Sequence, residues 1–452
     1  MKLSFSSYAA VGVMLFALFF GAGNLIFPAS LGQNAGTNLW PSVVGFLITG
    51  VGLPLLGIIA MSFSGSRNLQ ELSSRVHPVY AVFFTSVLYL TIGPFFASPR
   101  TGTVAFEVGI SSFVGESSQQ LWLFIFTLVF FTIVLLFSLK PAKLVDHVGK
   151  LLAPGLVVLV AVLLMTAIVN PMGPMESPQG SYTSGAFVTG FLEGYNTMDA
   201  LASLVFGIIV INAIRAMGVT SKTDILKTTI KSGSIAILLL GAIYVGIAYM
   251  GATSTQLFGI FETGGPVLSG AASHYFGTFG SILLAIAITL ACLTTAIGLT
   301  TANAEYFHTL FPKISYKTLV TFFATSTFVI ANFGLANIIT YSVPVLMFLY
   351  PLAIVLMILT FLSPLFRHAR IVYVSTIAVT FLISIFDGLK SLCQSLGIEY
   401  FSWMEPIIAF YEQSLPLYNQ GLGWLLPAIV VIVVTAIISR FQNEKATTAH
   451  VS

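Results

Sequence analysis

Charge is what this sequence has least of: only 7% of its 452 residues are Asp, Glu, Lys or Arg, against 57% hydrophobic. Soluble domains carry roughly 25% charged residues, so a water-facing globular protein is excluded and an all-α integral membrane protein is expected. Basic and acidic residues nearly cancel, 18 against 15, and no basic tract with interleaved aromatics occurs, so nucleic acid is not an expected partner. The two cysteines, Cys292 and Cys393, lie in or beside apolar runs and make neither a disulfide framework nor a metal site. The histidines show no HxxxH or HxxE spacing, and no resident cofactor is expected. A membrane enzyme should cluster His, Cys or carboxylates at a membrane face, and a channel should show a charged or carbonyl-rich filter loop. Neither pattern is found, which leaves these classes as distant alternatives.

Apolar runs of membrane length, about 20 residues each, are abundant. They fall at 8–31, 39–63, 79–111, 121–139, 151–169, 186–212, 232–251, 279–302, 318–333, 337–361, 371–388 and 422–439, which predicts twelve transmembrane helices. The first run continues through Leu25, Ile26 and Phe27 and is expected to stay as a span rather than be cleaved as a signal peptide. Segment 79–111 is long enough to be two short helices meeting at Pro94 and Pro99, and the distribution of basic residues decides the matter. Counted as one crossing, with the N-terminus cytoplasmic, it leaves 16 of the 18 basic residues on the cytoplasmic side. Only Lys390 then lies outside, and Arg100 lies within the membrane. Both termini are therefore expected in the cytoplasm of a bacterium, with the chain in the cytoplasmic (inner) membrane. Two long outer loops follow. The one at 252–278 is either a lid over a vestibule or an ordinary surface loop, and the one at 389–421 is expected to hold an amphipathic interfacial segment.

Two of the twelve runs are broken in the middle. Run 8–31 contains Gly21-Ala22-Gly23-Asn24, and run 186–212 contains Glu193-Gly194-Tyr195-Asn196-Thr197-Met198-Asp199. In hydrocarbon every backbone N–H and C=O must be paired, so unwound backbone survives only where protein or a polar cavity covers it. Gly-interrupted segments in corresponding positions point to a midplane binding site in a secondary transporter. The breaks lie in spans 1 and 6, a separation of five that suits inverted five-helix repeats, each beginning with a discontinuous helix. The expected layout is a first repeat over 1–170, a second over 171–362, and two additional spans with a cytoplasmic tail over 363–452. Half-helix N-termini attract a carboxylate, and freed carbonyls accept an ammonium group or a monovalent cation. Together they suit a zwitterionic amino acid.

Other polar residues stand out against the apolar background. Span 8 carries Ala291-Cys292-Leu293-Thr294-Thr295 near its midpoint. Two hydroxyls and a carbonyl one turn earlier offer oxygen ligands for Na⁺, although threonines in membrane helices also bond back to the i−4 carbonyl. Span 3 carries Arg100 and, seven residues on, Glu107. A buried arginine must be paired or hydrated, and Glu107, Glu193 and Asp199 are the candidate partners in a gating or structural ion pair. Asp199 or Glu193 carrying a proton is the main rival to Na⁺ coupling.

Three stretches, FGAGNLIFPASLGQNAG from Phe20, FFASPRTGTVAFEVGI from Phe95 and EGYNTMDALASLVFGI from Glu193, make the chain resemble the BrnQ-type bacterial branched-chain amino acid carriers, a family of cation symporters. The resemblance implies the five-plus-five inverted-repeat fold of the amino acid–polyamine–organocation superfamily, with discontinuous helices 1 and 6. It implies uptake of leucine, isoleucine and valine driven by Na⁺ or H⁺, with Na⁺ as the favoured coupling ion. By the same likeness, the backbone of Ala17 and Phe20, the Ala291 carbonyl and the Thr294 and Thr295 hydroxyls would build one sodium site. A second site in some relatives uses the span 1 Asn with an Asn in span 7. Asn24 fits the first, but 232–251 contains no Asn. The substrate carboxylate would meet the N–H groups of Gly21, Ala22, Gly23 and Asn24. Its amine would meet carbonyls of Gly194, Tyr195, Asn196 and Thr197, with Phe19 or Phe20. The expected partners are thus these amino acids and membrane lipid.

Overall fold

The computed structural model describes residues 4–139 and 144–449. Lys2, Lys140 and Lys143 of the charge count lie outside the described residues, as do the side chains of Lys150 and Lys445. Every regular element among the described residues is helical. Eight helical segments are long and apolar enough to cross a membrane, and Phe5–Phe19, Gly155–Val169, Tyr316–Ala331 and Leu425–Phe441 are shorter apolar helices. Large apolar side chains such as Leu128, Leu136, Met165, Leu238, Phe322 and Val430 stay exposed on the bundle's outside, a distribution that lipid accepts and water does not.

Span 1 consists of the helices Phe5–Phe19 and Ala22–Ala35, separated at Phe20 and Gly21. The break is shorter than the sequence suggests, because Ala22, Gly23 and Asn24 already form the first turn of the second half. The cause is local. The Gly21 N–H, which a continuous helix would send to the Ala17 carbonyl, donates instead to Asn24 Oδ1 at 2.9 Å. Span 6 consists of Tyr182–Glu193, a 3₁₀ turn Gly194–Thr197, Met198 in the left-handed region at φ 60°, and the helix Asp199–Ala216. A methionine held at positive φ is a strained residue of the kind that clusters at functional sites.

Two close helix contacts hold the broken spans. Span 1 lies against span 7 (Lys222–Phe258), where a Cβ at Gly32 would stand 2.0 Å from the Ala248 carbonyl oxygen and one at Gly251 would stand 2.3 Å from that of Ala29. Span 6 lies against span 2, where a Cβ at Gly45 would stand 2.0 Å from the Phe187 carbonyl oxygen and one at Gly190 would stand 2.0 Å from that of Ser42. Under a five-plus-five repeat the pair of spans 1 and 7 is equivalent to the pair of spans 6 and 2. Each is closed by one glycine from either helix.

Span 2 contains a π-turn at Ile48–Gly52, and span 3 contains another at Thr91–Phe95, bent at Gly93 and Pro94. Span 3 therefore runs as one interrupted segment, Pro78–Gly109. Segment 252–278 is mostly helical. The span 7 helix reaches Phe258, and a second helix begins at Gly265 and turns at Gly277 (φ 62°) into span 8. The short connection between them folds inward, with Gly264 against the Ile26 carbonyl. Segment 389–421 holds a separate ten-residue helix, Glu405–Ser414, with Ile408 buried.

Candidate functional site

The two breaks face each other: a Cβ at Gly23 would lie 3.8 Å from Thr197 Cα, and one at Gly21 would lie 3.8 Å from the Thr295 methyl of span 8. Asn24 links three spans here. Its Oδ1 caps Gly21, and its Nδ2 donates to Asp199 Oδ2 at 2.5 Å and also meets the Tyr244 hydroxyl of span 7. Tyr244 donates in turn to Asp199 Oδ2 at 3.2 Å. The Asp199 N–H reaches Thr197 Oγ1 at 3.3 Å, and that hydroxyl donates to the Gly194 carbonyl at 2.9 Å. Asn24, Asp199 and Tyr244 are all buried. The carboxylate stands in the first turn of the second span 6 half-helix, where N–H groups and the helix dipole favour negative charge.

Arg100 is buried, and its partners differ from those expected. Nη1 donates to the Asn196 carbonyl at 2.6 Å, Nη2 donates to Ser342 Oγ of span 10 at 2.6 Å, and the guanidinium lies 5.1 Å from the Phe27 ring centroid. No carboxylate among the described residues comes within ion-pair distance of it. The expected ion pair with Glu107, Glu193 or Asp199 is therefore corrected to a bridge between spans 3, 6 and 10. The unwound turn of span 6 supplies a carbonyl that no helical N–H claims, and a charged donor takes it at short range. Each acid is engaged elsewhere. Glu107 accepts from Thr263 at 2.5 Å, Glu193 accepts from Asn196 Nδ2 at 2.9 Å, and Asp199 is held by Asn24 and Tyr244.

The remaining predicted residues fall around this centre. Thr294 and Thr295 both donate to the Ala291 carbonyl, at 2.9 and 3.1 Å. This back-bond spends their protons and leaves lone pairs on the two hydroxyls for a cation, and the Ala291 carbonyl would release one of them to meet it as well. Across from them, Ala17 has lost the Gly21 N–H to Asn24. Phe19 and Phe20 are buried, and Phe20 stacks on Phe16 at 4.9 Å. Tyr195 stacks on Tyr350 of span 10 at 4.0 Å. Gly194 is pressed against span 2, where a Cβ would stand 1.9 Å from Thr49 Oγ1. In span 6 the carbonyls of Gly194, Tyr195 and Asn196 already accept from Thr197, Met198 and Arg100. The carbonyls of Tyr195 and Asn196 keep a lone pair for a ligand, whereas that of Gly194 accepts from both the hydroxyl and the 3₁₀ N–H of Thr197.

A cavity of 480 Å³, lined by Ile26, Phe27, Glu193, Asn196 and Thr263 among others, opens above Phe27 and Asn196. Tyr244 and Ser342 are the residues that sequence reasoning missed. A tyrosine in the apolar run of span 7, where Tyr249 also stands, reads as packing. The only hint at Ser342 is the Pro344 that follows it within span 10.

A helical bundle whose first and sixth spans are interrupted at the same depth is the architecture of a secondary transporter, and solved transporters share it. The chain superposes on the inward-facing conformation of Mhp1 with a TM-score of 0.61 at 16% identity, covering 97% of this chain and 91% of that one. It superposes on MhsT in complex with L-phenylalanine with a TM-score of 0.56 at 14% identity, covering 96% and 98%. The chain belongs to the branched-chain amino acid transport protein family, whose sequence model matches residues 5–442. It is 47% identical to the branched-chain amino acid permease BrnQ of Bacillus subtilis over 98% of this chain and 99% of that protein. It is 42% identical to the branched-chain amino acid transport system 2 carrier protein of Pseudomonas aeruginosa, over 96% of each. Against BrnQ of Escherichia coli the identity is 40%, over 97% of each.

Proposed function

We propose that this protein imports leucine, isoleucine and valine across the cytoplasmic membrane by Na⁺-coupled symport with alternating access. The observation that carries the reading is the convergence of the span 1 break on Thr295 and Ala291 of span 8 and on Asp199 of span 6. The N–H groups of Gly21 to Asn24 receive the substrate carboxylate. The open carbonyls of the Gly194 to Thr197 turn receive its ammonium. Ala17, Phe20, Ala291, Thr294 and Thr295 supply uncharged oxygens to Na⁺, a donor set suited to a monovalent cation rather than to a divalent ion that recruits carboxylates. One methylene in an apolar pocket changes binding by only about 1–3 kcal/mol, so overlapping use of the three aliphatic substrates follows. Ion and substrate couple when together they favour the closed state more than either does alone. On this reading two repeats, 1–170 and 171–362, supply the paired breaks, and the distribution of basic residues supports both termini in the cytoplasm.

The buried Asp199 with its Asn24 and Tyr244 partners favours one second reading, in which a proton on this carboxyl replaces Na⁺. The double variant Thr294→Ala, Thr295→Ala tests the sodium ligands. Sodium coupling through these hydroxyls predicts that it loses the Na⁺ dependence of leucine uptake, and unchanged Na⁺ dependence would remove Thr294 and Thr295 from the ion site. Wild-type uptake driven by a pH gradient without Na⁺ would move the coupling to Asp199.

A further inference from the structure

A second cavity, of 540 Å³, adjoins the first between spans 6, 10 and 11 and the 418–421 turn, and the central site leaves it unexplained. Its wall contains Asp387 of span 11, only 5% exposed, whose Oδ2 has no hydrogen-bond partner. The hydroxyls of Tyr195 and Tyr418, also in the wall, make no hydrogen bond of good geometry, although Tyr418 lies near enough to Asp387 to steady its charge. Lys390, one turn along from Asp387, makes no ion pair with it. Its ammonium is held by Glu412 at 2.8 Å, with Asn419 at 3.4 Å and the Tyr418 ring 5.0 Å below. Glu193 adds a second carboxylate, and Leu192, Leu346 and Met347 supply aliphatic surface.

A buried carboxylate oxygen left without a donor carries a desolvation cost that a cationic donor would remove. Here that oxygen is joined by two hydroxyl oxygens able to accept and by an apolar wall beside them. We propose that this cavity is an outer binding site for the ammonium group of the aliphatic amino acid, with Asp387 as counter-ion, occupied before the substrate passes Phe27 and Asn196 to the central site. The inference rests on the amino acid transport reading for the identity of the ligand. The cavity shares Glu193, Asn196, Val343, Ser391 and Gln394 with the one above Phe27, so a substrate held there lies on the way in.

The test uses the purified full chain in lipid nanodiscs and two half-substrates, labelled 3-methylbutylamine and labelled 4-methylpentanoate, with labelled leucine uptake by the same preparation measured in liposomes. The wild type is expected to bind the amine saturably and the acid at least about tenfold more weakly, the value of one hydrogen bond to a charged group. Asp387→Asn, checked for fold by its thermal unfolding, is expected to weaken the amine by a similar factor. Equal binding of both probes, binding of neither, or an unchanged amine affinity in Asp387→Asn overturns the proposal. Where Asp387→Asn does not fold, Tyr418→Phe, which takes one hydroxyl from the same wall, is expected to weaken the amine and leave the acid unchanged, and an unchanged amine affinity there overturns the proposal equally. An Asp387-dependent signal from Na⁺ alone that excludes the amine also overturns it. Failed leucine uptake beside intact, Asp387-dependent amine binding would retire the transport reading and leave the site standing.

Discussion

Removing the Asp199 carboxylate would leave the Tyr244 hydroxyl and one N–H of Asn24 without an acceptor in a buried setting. Each such orphaned group costs about 1–3 kcal/mol. Asp199→Ala is therefore expected to lower the thermal midpoint and abolish uptake. Asp199→Asn, which still offers an oxygen, should keep the fold and lose at least about tenfold in uptake, the value of a bond to a charged acceptor. Wild-type uptake by Asp199→Asn would remove the carboxylate from the mechanism. Arg100 makes a related argument. Its fork spans the Asn196 carbonyl and Ser342 Oγ, a pair of directions that a lysine point charge does not match. Arg100→Lys and Ser342→Ala should therefore be non-additive, with a coupling of about 0.5–3 kcal/mol in a double-mutant cycle on thermal stability. Additive effects would mean that the bridge contributes nothing.

The broken helices are held where they meet other helices at glycines, and this is where side-chain volume decides the fold. A Cβ at Gly32 would sit 2.0 Å from a backbone oxygen of span 7, whereas at Gly298, also helical, nothing lies within 4 Å. Gly32→Ala is expected to cost about 1–3 kcal/mol through overpacking. Gly298→Ala should be neutral or stabilising by up to about 1 kcal/mol, through improved helix propensity. Thermal unfolding in one detergent compares them, and an equal effect of the two would contradict the close approach. The breaks themselves were legible, because glycine and amide or acid side chains in the middle of a membrane-length run have no role in a plain anchor. Their extent was less so. Asn24 reads as part of the unwound stretch, yet its side chain caps Gly21 and lets the helix resume three residues earlier. The Arg100 partners were illegible for a different reason: a main-chain carbonyl and one serine in a distant span leave no mark in composition or spacing. Tyr244 was hidden because its hydroxyl gains meaning only when span 7 is laid against span 1.

For the whole molecule, the proposed orientation, with both termini cytoplasmic, can be read from introduced thiols. Cys292 and Cys393 are both buried, so a thiol introduced at the surface reports alone. Lys390→Cys should react with a membrane-impermeant maleimide in intact cells, and Lys222→Cys only after the membrane is permeabilised. The reverse pattern would invert the topology. The cavities lie at the end of the bundle carrying the 259–264 connection and the 418–421 turn, which this orientation places outside, the side from which an importer takes its substrate. The coupling ion is the central claim. The most direct measurement is labelled leucine uptake by the protein reconstituted in liposomes, under an imposed Na⁺ gradient, an imposed pH gradient and neither. Accumulation driven by the Na⁺ gradient alone is the predicted result. Accumulation driven only by the pH gradient would contradict it and assign the coupling to a carboxyl group at the centre, Asp199 first.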